Sequence, residues 1–254
     1  MNSTATTRNF TTGRKNATWR RRDAAQRRGA VWKVVVISSP IQELGRLSQV
    51  GFELDGPKGW AGTYRCERSR VLKFIDDNAI DNVVFLTTDY HFTSMNQLAY
   101  QTRPGDPASP RKRARNAFEI ITGPLGAIAG SPFRDKVAID DVGSREADAR
   151  IVTLLNGAMQ KAGLDPIGLE ADASGVRIGG HPAAPDPVAF ASFGTYSYVV
   201  LTFDQSRVHV QLKLMPFVQD PKTLRDDPAA EAEFEGRRPA EVSSFVVEAA
   251  AAKR

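Results

Sequence analysis

Cysteine is almost absent: Cys66 is the only one in 254 residues, so no internal disulfide can form and sulfur chemistry leaves the redox compartment undetermined. No apolar run approaches the length of a membrane span, and the N-terminus lacks the apolar core of a secretion signal. Internal repeats are missing too. Acidic residues are scarce at the start of the chain. Residues 1–33 hold nine Lys or Arg and a single Asp, Asp23 (+8), while the remainder balances 25 basic against 28 acidic residues (−3). The arm Thr11–Arg28, with Arg20-Arg21-Arg22 and Arg27-Arg28, has almost no aliphatic residues. It reads first as a solvated basic tail or helix, with attraction to phosphate backbones as the alternative. Trp19 and Trp32 bracket it, which predicts that its second half packs down as a helix.

The remaining composition is ordinary for a soluble protein, with 41% hydrophobic and 25% charged residues. The length suits one large domain or two small ones. Chemistry is suggested in one stretch, Trp60 to Gln97. After the glycine-containing lead-in Trp60-Ala61-Gly62-Thr63, Val71, Leu72, Phe74 and Ile75 recur at helical spacing, which predicts a helix from Tyr64 to Ile75. Asn78 and Asp81-Asn82 supply a turn. Asn82–Thr87 is then a continuous apolar run rich in β-branched residues, as expected of a central strand buried on both faces. Directly after it stand a carboxylate and an imidazole in Thr88-Asp89-Tyr90-His91, where ligands bind in open α/β sheets. An Asp-x-His pair alone is ordinary loop polarity, because a metal site needs three or more ligands.

Around this stretch, Val34-Val35-Val36-Ile37 forms an earlier apolar strand ending in Ser38-Ser39-Pro40. A long loop with Asp55-Gly56-Pro57 and Lys58-Gly59 separates it from the helix, which predicts a lid or pocket wall and a parallel strand pair joined by a right-handed crossover. After His91 the chain reads as polar and irregular, and Gln101–Arg115, with three prolines and Arg111-Lys112-Arg113, as an exposed mobile loop. Phe118–Thr122 is a third strand, ending at Gly123-Pro124. A helix at Ala147–Ala162, with the stripe Ile151, Leu154, Leu155 and Met159, stops at Gly163. Asp165–Pro187 offers no clear element. Tyr196–Phe203 and Arg207–Leu214 flank the turn Asp204-Gln205-Ser206 as a hairpin. From Gln219 onward the chain is charged and alanine-rich, expected to be partly helical and partly disordered.

Four segments in this order resemble the second half of the alkaline phosphatase D (PhoD-like) metallophosphatase family: Trp32–Ile41, Gly59–Arg68, Asn82–His91 and Phe118–Pro124. The hairpin, preceded by Phe190-Ala191-Ser192-Phe193-Gly194-Thr195, resembles its closing strands, so the likeness spans about residues 31 to 215. The resemblance implies an α/β fold of the calcineurin-like phosphoesterase type. Here that is a partial α/β/β/α sandwich: a mixed sheet, flanking helices and a C-terminal β-hairpin. It divides the chain into a basic arm at 1–30, the C-terminal half of a metallophosphatase domain at 31–218 and a tail at 219–254.

The resemblance also places Asp89 and His91 on metal-ligand positions, where a carboxylate oxygen and an imidazole nitrogen suit hard and borderline cations. It implies a metal-dependent phosphoric ester hydrolase using calcium and iron foremost, or manganese or zinc, on a phosphate ester substrate. Relatives of this family are commonly exported. Its earlier half, which supplies aspartates and an asparagine, has no counterpart upstream of Lys33, so the chain is expected to be a truncated or split enzyme. A missing half-sandwich would expose an apolar sheet face and drive self-association or pairing with that half. The alternative is a non-catalytic remnant that binds nucleic acid or an acidic partner through its arm.

Other residues carry weaker expectations. His181 in its Gly-Gly-His-Pro setting reads as a loop histidine, and His209 as an outward strand residue. Trp60 and Tyr64 read as packing residues, Cys66 as a small core residue. Arg65 and Arg68 read as a solvated helical face, with a phosphate contact as the alternative.

Overall fold

In the computed structural model the described residues are 29–43, 60, 64–106, 108–123, 125, 145–168, 177–180, 191–193, 195–216, 225–238 and 240–249. The arm Thr11–Arg28, the Asp55-Gly56-Pro57 loop and His181 lie outside them. The described residues build two sheets. The first takes β1 (Lys33–Val36), β2 (Val83–Thr87), β3 (Phe92–Gln101), β4 (Arg111–Ile121) and, later, β6 (Ala191–Phe193), in the spatial order β1-β2-β4-β3-β6. The second has β5 (Arg177–Gly180), β7 (Thr195–Phe203), β8 (Arg207–Pro216) and β9 (Ala240–Glu248), in the order β5-β9-β8-β7.

β1, β2 and β4 run parallel, with Val35 opposite Phe85 and Phe85 opposite Glu119. β2 therefore has a strand on each side, and Val83, Val84 and Phe85 are completely buried, as its unbroken apolar run predicts. β1 is an edge strand instead. Among the described residues it pairs with β2 alone, and its burial alternates, with Val35 inside while Val34 and Val36 are exposed, because one of its faces is covered and the other is not.

Among the described residues three helices accompany the sheets: α1 (Arg65–Asp77), α2 (Arg145–Lys161) and α3 (Pro228–Gly236). α1 lays Val71, Leu72 and Ile75 against Val35, Phe85 and Leu98. α2 lays Ile151, Val152, Leu155 and Met159 against Phe92 and Ile121. Successive strand residues face opposite sides, so Ala117, Glu119 and Ile121 of β4 look toward these helices while Phe118 and Ile120 look away. Phe118 and Ile120 meet Val208, Val210 and Val247 of the second sheet. Helices thus cover one face and the second sheet covers the other, while α3 buries none of its residues. The fold is a mixed α/β one, as the sequence leads one to expect. α2 ends at Lys161, and Gly163 just beyond it, with φ of 66°, is the left-handed stop that glycine supplies without strain. Leu154 turns outward rather than joining the buried stripe.

Several expectations are corrected. The segment after His91 is not irregular: β3 runs for ten residues and is buried from Phe92 to Leu98. Its polar members find distant partners, as when Gly168 N–H donates to Asn96 Oδ1. Gln101–Arg115 is not a mobile loop either. β4 starts at Arg111 and pairs with β3 around a short connection, in which Arg103 N–H and Ala108 N–H donate to Ser109 and Asp106 side chains. The C-terminal segment carries α3 and then β9, which is an inner strand of the second sheet. Finally, the first sheet does not present a bare apolar face: the second sheet lies on it, leaving Val34 (41% exposed) and Val36 (74%) on the β1 edge uncovered.

Candidate metal-ligand site at the strand ends

The carboxyl ends of β1, β2 and β4 lie side by side, the edge at which parallel α/β sheets present ligand-binding groups. Pairing continues past the strands proper: Ile37 N–H donates to Leu86 O, and Thr122 N–H to Thr87 O at 2.8 Å. Just beyond come Ser38-Ser39 from β1 and Thr88-Asp89-Tyr90-His91 from β2. Thr88 Oγ1 donates to Ser38 O at 3.2 Å, so the two segments are in contact.

The tetrad has an unusual backbone. Asp89 has φ of 86° and His91 of 53°, both in the left-handed region that side chains other than glycine seldom occupy. Such conformations cost about 1–3 kcal/mol each and persist where the surroundings over-determine them. Asp89 is exposed and His91 half-buried. Tyr90 between them packs against the α2 core and stacks on Phe92, with ring centroids 5.8 Å apart, anchoring the turn from its middle. The Asp and His are thus held on either side of a fixed aromatic.

Beneath the tetrad lies a carboxylate that sequence reading passed over. Glu119, on β4, is fully buried. Its Oε1 accepts from Ile41 N–H at 2.6 Å and from Thr87 Oγ1 at 2.9 Å, and its Oε2 from Gln42 N–H at 2.9 Å. Burial pushes its carboxyl above the ordinary range, against the pull of those donors and of Arg68. The available signal was a lone charge inside the apolar run Phe118-Glu119-Ile120-Ile121.

Neighbouring this group is a buried ionic network. Arg68 is neither a solvated residue nor one facing a free phosphate; it is 2% exposed. Its guanidinium donates to Ile41 O and Ala99 O and pairs with Asp165 at 3.4 Å and Glu43 at 3.8 Å. Arg111 bridges the same two carboxylates, at 2.5 and 2.6 Å. Burial works to raise the Glu43 carboxyl, but the two guanidiniums outweigh it and hold it below the ordinary carboxylate range.

Arg65 is exposed in the first turn of α1. Trp60 packs on the α1 core, with its N–H on Pro40 O, while Tyr64 is exposed. Cys66 is half-buried, with the turn at Gly105 close to its Sγ. His209 sits half-buried on β8 between the inward Val208 and Val210.

The donor set bears directly on metal binding. One carboxylate and one imidazole suit a hard or borderline cation. Among the described residues, however, no group of three or more His, Cys, Asp or Glu could hold a metal ion. On these residues alone the site is incomplete, and no chemical step can be derived through a metal.

No curated protein matches the sequence significantly. A solved structure described as "Structure of PhoD" aligns with 85% of this chain at 18% identity and a TM-score of 0.44, and the chain spans 30% of that structure's length. The profile of the PhoD-like phosphatases matches residues 2–162, which takes in β1, β2, the tetrad, β3, β4 and α2. The chain belongs to the PhoD-like phosphatase family.

Proposed function

We propose that this chain is part of a metal-dependent phosphoric ester hydrolase, to which it contributes Asp89 and His91 as two ligands of a metal centre completed by ligands from outside the described residues. The observation that supports this is the tetrad: two residues of metal-ligand type held at left-handed φ directly past a buried strand, in a chain of this family. The family resemblance assigns the remaining ligands to aspartates and an asparagine of the family's earlier half. Calcium and iron are the metals to try first, then manganese and zinc. A bound ion would polarise a phosphoryl oxygen and acidify a water; this chain's share is to hold two of its ligands.

The test uses the full chain and its Asp89→Ala/His91→Ala variant. Ion contact is read from the His91 ring signal with manganese, and hydrolysis of p-nitrophenyl and bis(p-nitrophenyl) phosphate is assayed at alkaline pH with each metal. The expected result is a metal-sensitive His91 signal and no turnover above the double variant. A His91 signal indifferent to every metal would refute the ligand role. Metal-dependent turnover abolished in the double variant would refute the need for ligands from outside the described residues and show that the chain completes its own centre.

A further inference from the structure

We propose that Glu119 is a positioning residue for the Thr88–His91 tetrad, clamping the end of β2 to the Ser38–Gln42 segment so that Asp89 and His91 keep their left-handed backbone. As a role in a metal centre this rests on the reading of Asp89 and His91 as ligands; as a role in holding the tetrad it stands separately.

A fully buried carboxylate costs stability, and replacing buried charge with apolar packing is often neutral or favourable for folding alone. What Glu119 holds is therefore informative. One oxygen binds Thr87, the last residue of β2, together with Ile41 N–H; the other binds Gln42 N–H. All three partners donate, so the site calls for an acceptor at both oxygens, which a carboxylate provides and an amide does not. The joined segments are the two whose tips touch through Thr88 and Ser38, immediately beside the left-handed pair. Gln42 in turn donates to Asp165 O, and Ile41 O accepts from Arg68, so the segment Glu119 grips is tied to the rigid ionic network below. The strain at Asp89 and His91 is thereby referred to the interior of the fold rather than to a surface loop. Partners hydrogen-bonded directly to metal ligands change affinity by about 10- to 100-fold when lost; Glu119 acts one step removed, through the backbone, so its effect is expected at the lower end.

The experiment compares the full chain with Glu119→Gln and Thr87→Val. With three histidines in the sequence, the His91 ring signal is assigned by its loss in His91→Ala. Expected for both variants are a cooperative unfolding transition, shifted amide signals from Thr88 to His91 and, for Glu119→Gln, an apparent manganese affinity at His91 lowered about tenfold. Shifts confined to Ile41 and Gln42, with the tetrad amides and manganese affinity unchanged, would overturn the proposal and leave Glu119 holding only its loop. Should Glu119→Gln fail to fold, Thr87→Val decides alone, since it removes only the strand-side bond. Should manganese fail to reach His91 even in the parent chain, the ligand reading falls, and the tetrad amides still decide the positioning role: movement supports it and stillness overturns it.

Discussion

Trp32 Nε1–H donates to the backbone carbonyl of Asp204 at 2.7 Å, across 172 residues of chain. Its ring also meets Phe203, with centroids 5.9 Å apart, so the residue before β1 is fastened to the tip of the β7–β8 hairpin. The tip is itself rigid. Asp204 Oδ1 accepts from Ser206 N–H, the Ser206 hydroxyl and Arg207 N–H, and these bonds draw its carboxyl down to about 2. Trp32→Ala removes the bond and the ring contact together. Its expected cost is about 2 kcal/mol, below the 3–5 typical of a fully buried tryptophan, because Trp32 is half-exposed. Urea unfolding at unchanged slope reads it; a midpoint equal to that of the parent chain would show that the two sheets do not depend on this fastening.

A second junction between the sheets admits no side chain. Gly123, just past β4, donates its N–H to Thr93 Oγ1, which is hydrogen-bonded to the Ser197 hydroxyl of β7. A Cβ on Gly123 would overlap Ser197 Oγ and stand 2.6 Å from Thr93 Oγ1. Gly123→Ala is expected to destabilise by about 2 kcal/mol through overpacking. Gly123→Ala with Ser197→Ala should cost less than the sum of the two single changes, because the nearest clash is then gone. Strict additivity in a double-mutant cycle would show that the hydroxyl is not what the methyl meets.

The buried carboxylates Glu43 and Glu119 respond to pH with opposite sign. Glu43 is held below the ordinary carboxylate value, so the stability it contributes is complete above about pH 4.5 and is lost as pH falls through its folded value. Glu119 is raised by burial, so its contribution is present below that value and is lost as pH rises through its folded one. Glu43→Gln should destabilise at pH 7 by about 3 kcal/mol, since Arg68 and Arg111 lose one of their two carboxylates. It should also flatten the stability profile between pH 3 and 5. Profiles that stay parallel across that range would remove Glu43 from the acid limb.

The β1 edge concerns association rather than folding. Val36 is 74% exposed on a strand that among the described residues has a single neighbour, the kind of edge that pairs with other chains. Val36→Lys should leave the melting temperature within about 1 °C, since a substitution at an exposed site changes stability by less than about 0.5 kcal/mol. It should also shift sedimentation toward the monomer. An unchanged distribution would clear this edge of any part in self-association.

Local pattern carried far in this chain. The unbroken apolar run of β2, the Asp204 turn between two alternating strands and the glycine stop of α2 each depend on neighbours in sequence, and each could be read there. So could the position of Asp89 and His91 past a buried strand, since that needs only the strand and the residues after it. Which polar residues would be buried could not be read in the same way. Thr93, Ser94, Asn96 and Gln97 look like surface, yet β3 buries them because their partners, such as Ser197 and Gly168, arrive from about 70 to 100 residues away. Arg68 and Arg111 read as solvated charge because Glu43 and Asp165 are remote in sequence and adjacent only in the fold. The same holds for Glu119, whose three donors come from two other segments, and for β9, whose place inside the second sheet comes from pairing with β8. Apolar burial follows a periodicity written along the chain. A buried charge or amide is stable only beside a specific partner, and the folded chain alone decides where that partner stands.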